Sequence, residues 1–529
     1  MKFRYLVLSL LSATLLALPW YSAFSGLILL VAFVPLLVLE RDFTLRKADG
    51  CWKYYTLTFL VWNAIATYWI YHATMSGAVG AIIGNTLQMC LIFALFRWVK
   101  KKTNNAIGYA FLVALWITWE WFYYDAEISW PWLVLGNGFA KDIHLIQWYE
   151  YTGVLGGSLW IWLTNFCVFH IITGKIFTKK QFVLKSALTL LLVAAPITIS
   201  LIRFYNYEEK SNPCNVVILQ PNIDPYKEKF DSMDDETQLS IMLSLAESKT
   251  DSTTDYVIAP ETAISGITEN DLIKNGAIYR INEFVQPYPQ LNYITGATTY
   301  RIYRAGETVP ITARTTDNGS YNVFNSSIQV NNNGFEVYHK SKLVIMAEKT
   351  PYPKFFKFLS NLSLDLGGYV GNYGTQKERV AFVSANGNFR MGTAICYESV
   401  YGEFYTEYIQ KGANVMAIIT NDGWWGNTGG YRQHLTYASL RAIETRRSIA
   451  RSANTGISAV INQRGEIVER TEWWERDVLK ATINANDKIT FYVTHGDYLG
   501  RIAFFVFALV FLVASIKSIL LRKKPLKNK

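Results

Sequence analysis

Eight apolar runs, each long enough to cross a lipid bilayer, constrain the fold of this chain more than any other feature. A membrane-spanning helix needs about 20 apolar residues, and such runs occur near 4–22, 24–40, 55–73, 78–97, 106–124, 155–174, 184–202 and 500–520. Only 17% of the residues are charged, below the roughly 25% typical of soluble domains. The first run follows Lys2 and Arg4 and is open to a second interpretation as a cleaved signal peptide. Another apolar run follows it almost without a polar spacer, which favours a retained helix.

Basic residues cluster in alternate loops between these runs. Because positively charged loops are retained in the cytoplasm, the pattern places both ends of the chain there. Residues 203–499 then lie on the side of the membrane opposite the cytoplasm. They contain 29 Lys and Arg against 33 Asp and Glu. The overall charge of +10 therefore belongs to the membrane flanks, which argues against nucleic-acid binding. The clusters are Lys2 and Arg4; Arg41, Arg46, Lys47 and Lys53; Arg97 and Lys100 to Lys102; Lys175, Lys179, Lys180 and Lys185; and the tail from Lys517 to Lys529.

These patterns divide the chain into three predicted parts. They are a membrane domain of about seven helices (1–202), an extracytoplasmic domain (203–499), and a C-terminal transmembrane helix with a basic cytoplasmic tail (500–529). Within 203–499, strand-like runs alternate with helical ones, which predicts an α/β layered domain. The predicted strands are 215–220, 256–259, 293–297, 326–330, 335–339, 392–395 and 415–420, with a hairpin over 456–470; the predicted helices are 232–249, 270–285 and 431–447.

Three reactive side chains, Glu261, Lys340 and Cys396, stand at the ends of predicted strands. Open α/β sheets place their sites at the carboxyl ends of strands, so we expect these groups to converge. A cysteine attacks a carbonyl as the thiolate, and Glu261 is suited to take the thiol proton. Lys340 supplies a positive charge that favours the thiolate and stabilises the oxyanion, helped by backbone N–H groups around Tyr397. Glu348 follows the lysine by eight positions as a second carboxylate.

Other interpretations of the cysteines and histidines stay open. A Cys–His dyad would use His339 or His434, although His434 falls on a predicted helix, where a packing or capping role is expected. A disulfide between Cys214 and Cys396 can form in an oxidising compartment, but a nucleophilic Cys396 must remain free. The five cysteines show no metal-ligand spacing, and the sequence implies no metal or organic cofactor.

The order Glu261, Lys340 and Cys396 resembles the nitrilase superfamily. With its membrane runs, the chain resembles the apolipoprotein N-acyltransferase family, bacterial inner-membrane enzymes that complete the triacylation of lipoproteins. The resemblance covers essentially the whole chain. It is carried by Gln220-Pro221-Asn222-Ile223, Gly296-Ala297, Asn325-Ser326, Leu343-Val344, Asn421-Asp422-Gly423-Trp424-Trp425-Gly426, Gln433-His434, Arg441-Ala442-Ile443-Glu444, Asn454-Thr455-Gly456 and, in the membrane half, Trp130-Pro131-Trp132-Leu133 with Gly136.

The resemblance implies a fold and a reaction. The fold would be a multi-span α-helical membrane domain plus an α/β nitrilase-like (αββα sandwich) extracytoplasmic domain. Cys396 would take an acyl chain from a phospholipid, typically the sn-1 chain of phosphatidylethanolamine, and form a thioester. The α-amine of a diacylglyceryl-cysteine at a lipoprotein N-terminus would then receive the chain as an amide. We expect a monomer in the bacterial inner membrane, with the catalytic domain on the periplasmic side.

The resemblance also implies roles for individual residues. Glu261 would be the base, Lys340 the oxyanion stabiliser and Cys396 the acyl carrier. Glu348 would orient the lysine or the nucleophile. Further supporting positions are expected in the pocket and in the loops around it, namely Tyr397, Glu398, Trp424 and Phe230.

Two departures from the family pattern affect the surroundings of the site. Ile345-Met346-Ala347 stands where the family usually has Pro-Phe-Gly before the second glutamate, and Phe230 stands where it usually has Trp. The segment 352–369 interleaves apolar residues with two lysines, a pattern typical of interfacial segments. We predict that 350–376 is an arm that gates the entry of lipids; the alternative is that its aromatic residues pack on the domain core.

Two other functions fit parts of the sequence. A membrane-tethered amidohydrolase would use the same three residues and pass the acyl group to water, without any need for a lipid donor. A receptor or transporter would function without Cys396. Transporters usually carry ionisable residues in the middle of their spans, whereas the spans here are nearly free of them, with Glu120 near an end.

Overall fold

The computed structural model describes residues 2–174, 178–317, 319–349 and 372–523, without the side chains of Phe230 and of residues 521–523. The chain divides into two compact units. The first comprises the chain up to Tyr68, Ser76–Arg203 and the part from Asp497 onward. The second comprises Phe204–Gly496 together with the short segment Trp69–Met75.

The N-terminal part of the chain is helical. Six stretches of the described chain are long and apolar enough to cross a membrane: Lys2–Trp20, Met75–Lys102, Asn105–Asp125, Tyr149–Thr173, Lys179–Asn206 and Tyr498–Leu520. The helices are α1 (Lys2–Ala17), α2 (Leu29–Ala32), α3 (Val34–Leu45), α4 (Cys51–Thr67), α5 (Ile70–Ala73), α6 (Met75–Lys102), α7 (Asn105–Asp125), α8 (Tyr149–Thr173) and α9 (Lys179–Asn206).

Two of the eight predicted runs form shorter helices. The run near 24–40 is divided between α2 and α3, and Pro35 lies in the first turn of α3, where its missing N–H removes no helical hydrogen bond. The run near 55–73 is divided between α4, which ends at Thr67, and the single turn of α5. The prediction of eight spans therefore stays a prediction for these two segments.

Polar contacts in the helical unit are made inside the protein. The Ser9 hydroxyl of α1 donates to the carbonyl of Tyr54 in α4 at 2.8 Å. The Asn165 amide of α8 donates to the carbonyl of Leu29 at 2.7 Å and accepts from the N–H of Phe33 at 2.8 Å. Such contacts satisfy the backbone where α2 gives way to α3, which matters wherever water is excluded.

The second unit is built from two β-sheets. The first has eight strands in the order β14-β1-β2-β4-β6-β5, with β3 beside β4 and β7 beside β6; the second has the order β13-β12-β11-β10-β9-β8. The strands are β1 (Pro213–Gln220), β2 (Tyr256–Ile258), β3 (Ile264–Thr268), β4 (Asn292–Tyr303), β5 (Arg314–Thr316), β6 (Gly319–Asn331), β7 (Gly334–His339), β8 (Ala381–Val383), β9 (Arg390–Ile395), β10 (Val415–Thr420), β11 (Ile449–Ala453), β12 (Ala459–Ile461), β13 (Ile467–Arg470) and β14 (Asp477–Asn484).

Helices cover the outer faces of these sheets. Alternate residues of β1 face opposite sides: Val216 and Ile218 pack with residues of β9 and β10, whereas Val217 and Leu219 pack with two helices. The sandwich is therefore layered αββα, as predicted. Its helices are α10 (Asp235–Lys249) and α11 (Gly276–Val285) on the first sheet, then α12 (Gly402–Gln410) and α13 (Gly429–Thr445) on the second; α14 (Phe491–His495) and α15 (Tyr498–Lys523) follow.

Most of the sequence-based strands are confirmed, including the hairpins β6–β7 and β12–β13. The predicted helix over 270–285 is wrong over its first six residues, because Asn275 caps the backbone N–H groups of Ala277 and Ile278 and so starts α11 at Gly276. Residues Glu269–Lys274 form 3-10 turns instead. Five strands of the structure lie outside the sequence prediction: β3, β5, β8, β11 and β14.

Candidate active site

Cys396 directly follows β9, a strand with hydrogen-bonded neighbours on both sides. The backbone of Cys396 has a φ of +50°, in the left-handed region that side-chain-bearing residues rarely adopt. Such strained positions persist only where the surrounding structure enforces them, and they cluster at functional sites. The thiol is free, as is that of Cys214, so the disulfide alternative is not realised.

Glu261 lies three residues after β2, on the loop that leaves the neighbouring sheet. The N–H of Gly296 in β4 donates to the carbonyl of Pro260 at 3.1 Å, and the N–H of Ala263 donates to the carbonyl of Gly296 at 2.9 Å. A Cβ on Gly296 would lie 2.5 Å from the Cα of Glu261. Gly296 is therefore what allows this loop to lie directly against the sheet.

Lys340 follows β7 and is buried between two carboxylates. Its Nζ lies 2.9 Å from Glu261 Oε1 and 2.9 Å from Glu348 Oε1. The side-chain amide of Asn325 donates to the same two oxygens, each at 2.8 Å. One ammonium and one amide thus hold both carboxylates in place.

Cys396 lies close enough to these groups for their charges to act on its thiol. Burial raises the pKa of Cys396 and the Glu261 carboxylate raises it further, while the Lys340 ammonium lowers it. Burial would also raise the pKa of Glu261, but Lys340 and Asn325 hold it below its ordinary value. Burial acts to lower the pKa of Lys340, and the carboxylates beside it raise it well above the usual range instead. At neutral pH the structure therefore pairs a thiol with an ionised carboxylate and a fixed ammonium.

Glu348 is held by its own loop as well as by Lys340. Its Oε2 accepts from the backbone N–H of Val344 at 2.8 Å. The departure Ile345-Met346-Ala347 lies inside this turn, where Met346 has a φ of +67°. The turn is closed by the Met346 N–H, which donates to the carbonyl of Lys349 at 2.8 Å. The altered tripeptide thus still supports a tight loop that returns the glutamate to the lysine.

Glu398 is completely buried, and both of its carboxylate oxygens accept hydrogen bonds. Oε1 accepts from the Tyr338 hydroxyl and the Ser341 N–H, each at 2.7 Å. Oε2 accepts from the Ile395 N–H at 2.9 Å and the Tyr408 hydroxyl at 3.0 Å. The residue expected to shape the pocket therefore joins the segment of Lys340 to that of Cys396.

The other predicted supporting residues differ in their surroundings. Tyr397 is buried, and its ring packs edge-on against Tyr401. Trp424 lies in the turn Asp422–Trp425 and meets the ring of Tyr226 edge-on at 5.2 Å. The side chain of Phe230 and most of the predicted arm 350–376 lie outside the described residues.

Three further residues of the site were not singled out individually by the sequence analysis. Asn325 bridges the two carboxylates, as described above. The buried Lys229 donates to the backbone carbonyl of Glu261 at 3.0 Å, and burial lowers its pKa to about 8 despite the nearby Glu261 charge. Asp422 Oδ1 accepts from the Thr420 hydroxyl at 2.7 Å, and the charge of Asp422 acts on the thiol of Cys396. Asn325 and Asp422 lie in motifs that carried the family resemblance. Lys229 lies in a segment rich in charged residues, and such a composition predicts exposure to solvent.

The histidine alternative gains no support from the geometry. Nε2 of the buried His434 lies 3.2 Å from the backbone carbonyl oxygen of Cys396. The ring of His339 pairs with Glu269 at 2.7 Å and stacks on Phe324. The groups whose charges act on the thiol of Cys396 are instead Glu261, Lys340 and Asp422.

An αββα sandwich in which a cysteine, a glutamate and a lysine converge from separate strand ends defines a nitrilase-type cysteine enzyme, here joined to membrane-type helices. Residues 215–490, over half of the chain, match the carbon-nitrogen hydrolase family. Residues 12–167 match the apolipoprotein N-acyltransferase N-terminal domain. The chain belongs to the carbon-nitrogen hydrolase family and, within it, to the apolipoprotein N-acyltransferases.

Full-length relatives agree with this assignment. An apolipoprotein N-acyltransferase of Chlorobaculum tepidum is 28% identical over 507 residues, which cover 92% of this chain and 91% of the relative. Another, of Geobacter metallireducens, is 25% identical over 553 residues, with 99% and 97% covered. Among solved structures, Saccharomyces cerevisiae Nit3, a nitrilase-superfamily member, aligns over 53% of this chain and 92% of its own, with 15% identity and a TM-score of 0.37.

Proposed function

We propose that this protein transfers an acyl chain from a phospholipid to the N-terminal amine of diacylglyceryl-modified lipoproteins, through a thioester on Cys396. The observation that carries the proposal is the buried ammonium of Lys340, held between Glu261 and Glu348 beside a strained cysteine. The family to which the chain belongs supports an amine as the acyl acceptor, because an N-acyltransferase passes the acyl group to an amine, whereas an amidohydrolase passes it to water.

In the first half-reaction, Glu261 takes the proton of the Cys396 thiol and the sulfur attacks the ester carbonyl of the lipid. The carbonyl oxygen becomes an oxyanion, which the Lys340 ammonium and the N–H of Tyr397 stabilise. The C–O bond to the glycerol then breaks, and the proton held by Glu261 passes to the departing alkoxide. The products are a Cys396 thioester and a lysophospholipid.

In the second half-reaction, the amine of the lipoprotein attacks the thioester carbonyl. Glu261 takes a proton from the attacking nitrogen and returns it to the departing Cys396 sulfur, so an amide forms and the free thiol is restored. A thioester stays reactive toward amines, and exclusion of water protects it from hydrolysis. The burial of Glu261 and Lys340 supports this requirement.

We further propose the setting of the reaction. The donor is a membrane phospholipid, with phosphatidylethanolamine and its sn-1 chain as the first candidate. The enzyme acts as a monomer in the bacterial inner membrane, with the α/β domain on the periplasmic side. The helices long enough to span a membrane and the cytoplasmic pattern of basic loops support this placement.

The supporting residues receive proposed roles from their positions. Glu348 holds Lys340 against Glu261, and Glu398 fixes the spacing between the lysine and the nucleophile. Tyr397 and Trp424 contact the acyl chain near the thioester. From the family resemblance and the sequence pattern alone, we propose that Phe230 contacts the incoming lipid and that 350–376 is an arm that gates its entry.

The test is the intact mass of the detergent-purified protein after incubation with phosphatidylethanolamine. We expect the wild type to gain one acyl chain, labile to hydroxylamine and discharged by a diacylglyceryl lipopeptide, and Cys396→Ala to gain none. Cys214→Ala is the matched control, because Cys214 is a free and buried thiol of the same domain, and it should acylate like the wild type. Absence of an adduct with every phospholipid, together with hydrolysis of small amides, would favour the amidohydrolase instead.

A further inference from the structure

The backbone carbonyl of Cys396 is held by two side chains from the core of the second unit. The Ser399 hydroxyl donates to it at 2.7 Å, and His434 Nε2 lies 3.2 Å from the same oxygen. His434 Nε2 also lies 2.9 Å from Ser399 Oγ. These contacts meet at the residue whose φ of +50° needs to be enforced by its surroundings.

The opposite side of the His434 ring is fixed by a buried ion pair. Nδ1 lies 3.0 Å from Asp422 Oδ1 and 3.2 Å from Nη2 of Arg451. Arg451 also forms an ion pair with Asp422. The Thr420 hydroxyl donates to Asp422 Oδ1 at 2.7 Å. All three charged or ring side chains are at most 1% exposed, so the orientation of the ring is set by groups that cannot move into solvent.

The surroundings of the ring assign a hydrogen atom to Nε2. A backbone carbonyl only accepts hydrogen bonds, so its contact with His434 is attractive when Nε2 carries the hydrogen. At Nδ1 both a donor (Arg451) and an acceptor (Asp422) are available, which suits a ring with or without a second hydrogen. In either form, the N–H at Nε2 points at the carbonyl of Cys396 and at the hydroxyl oxygen of Ser399.

We propose that His434 is a positioning residue for the oxyanion site of this enzyme, acting through the peptide group that joins Cys396 to Tyr397. In a trans peptide the C=O and the N–H point in opposite directions, so the N–H of Tyr397 faces away from His434. Hydrogen bonds polarise one another in series, and donation to the carbonyl strengthens the N–H of Tyr397 as an oxyanion donor. Asp422 and Arg451 keep the ring in place for this purpose.

This inference rests on the proposed acylation of Cys396. Two amide variants of His434 distinguish the positioning role from a merely structural one. In His434→Gln the side-chain amide reaches the position of Nε2 and retains a donor for the carbonyl. In His434→Asn the amide reaches only the position of Nδ1, so a polar group faces Asp422 while the donor to Cys396 is lost. The matched control is His495→Asn, because His495 is exposed on α14 of the same unit.

Two reactions of the same thiol are measured in the detergent-purified full chain. The burst of nitrophenolate from p-nitrophenyl butyrate reports acylation, which passes through an oxyanion. Alkylation by iodoacetamide reports the thiolate alone, because displacement at carbon forms no oxyanion. We expect His434→Asn to slow the burst by about 10- to 100-fold, less than the roughly 10²- to 10³-fold for loss of a direct oxyanion donor. Its alkylation rate should stay within about threefold of wild type, below the smallest loss of acylation expected, and His434→Gln should recover most of the burst.

Equal losses of acylation and alkylation in His434→Asn, or a burst as fast as in wild type, would overturn the inference. If His434→Asn does not fold, Ser399→Ala removes the other donor to the same carbonyl, and a burst unchanged in that variant would overturn it as well. The same proteins are also offered phosphatidylethanolamine. A wild type that reacts with the ester and not with any phospholipid refutes the proposed donor, while the comparison of Asn with Gln still decides the role of His434.

Discussion

The backbone N–H of Ser341 donates a hydrogen bond of 2.7 Å to the carboxylate of Glu398. Ser341 follows Lys340, and Glu398 lies two residues after Cys396, so one hydrogen bond joins the segment of Lys340 to that of Cys396 across the two sheets. The same carboxylate accepts from the N–H of Ile395, which directly precedes Cys396. The carboxylate of Glu398 thus fixes the spacing between Lys340 and Cys396, although it is not itself one of the reacting groups.

Glu398→Gln should therefore impair both acylation and stability. The carboxylate accepts from two backbone N–H groups, one at each oxygen, and an amide NH2 in place of either oxygen would face a donor that cannot rotate away. A buried donor left without a partner destabilises by about 1–3 kcal/mol. We expect a lower thermal unfolding midpoint and slower thioester formation, measured by differential scanning fluorimetry and intact mass.

The matched control is Glu378→Gln. Glu378 is 74% exposed, and its partner Lys411 is 48% exposed, so loss of that pair should change little. If Glu398→Gln matched this control in both unfolding midpoint and acylation rate, the linking role of Glu398 would be wrong.

The alternation of strand-like and helical runs predicted the layered α/β domain, and the buried strands stand out in the sequence where they are apolar on both faces. Strand β10 (Val415–Thr420) is such a strand, because all six of its residues are buried. The strand that closes the first sheet beside β1, Asp477–Asn484, has only two buried residues, Leu479 and Ile483, and carries charged side chains, so it lacks the continuous apolar run of a core strand. Similarly, Ile449–Ala453 contains a buried Arg451, which makes it unlike a core strand in the sequence alone.

The candidate site was predictable in its reactive groups and much less so in their supports. Glu261, Lys340 and Cys396 were predicted from their joint appearance, in that order, at the ends of strands, and from the family resemblance that this order carries. Asn325 acts only because β6 places it between two carboxylates from other segments, a coincidence of folding that local sequence does not encode. Lys229 is likewise buried only because its segment packs against the loop of Glu261.

Asn325→Asp should move the pH dependence of acylation. The new carboxylate would face the oxygens of Glu261 and Glu348, which now accept from the Asn325 amide. Like charges favour the protonated form, so the pKa of Glu261 should rise from its lowered value and the base should be protonated at higher pH. We expect the acid limb of the burst with p-nitrophenyl butyrate to move upward by about 1 pH unit or more.

Asn325→Ala separates charge from the loss of a hydrogen bond. It removes the same amide without adding a carboxylate, so its acid limb should lie between those of wild type and Asn325→Asp. Identical profiles for the Ala and Asp variants would show that repulsion with Glu261 is absent.

Lys229→Met should change how stability depends on pH in alkaline solution. The pKa of Lys229 is lowered by burial from 10.5 to about 8, so between these values the unfolded chain binds a proton that the folded chain does not. Stability from this group therefore rises as pH increases through that window, by up to about 3 kcal/mol. Comparing unfolding midpoints from pH 7 to 10.5, we expect the difference between wild type and Lys229→Met to shift in favour of wild type. Lys227→Met, at an exposed lysine of the same segment, should run parallel to wild type throughout.

Gly296→Ala should disable the site through the loop that carries Glu261. A Cβ at this position would lie 2.5 Å from the Cα of Glu261 and 2.6 Å from the carbonyl oxygen of Pro260, and both of these are backbone atoms that no rotamer change can move. The loop must then retreat from β4, which displaces the carboxylate from Lys340 and weakens the hydrogen bonds between Gly296 and its neighbours. Misplacement of a catalytic group by about 1 Å can cost 10²-fold in rate, so we expect acylation to fall at least that far, with a lower unfolding midpoint.

Gly276→Ala is the matched control, since a Cβ at the start of α11 would meet no atom within 4 Å and the helix tolerates alanine. Acylation at the wild-type rate in Gly296→Ala would mean that the position of Glu261 does not depend on this contact.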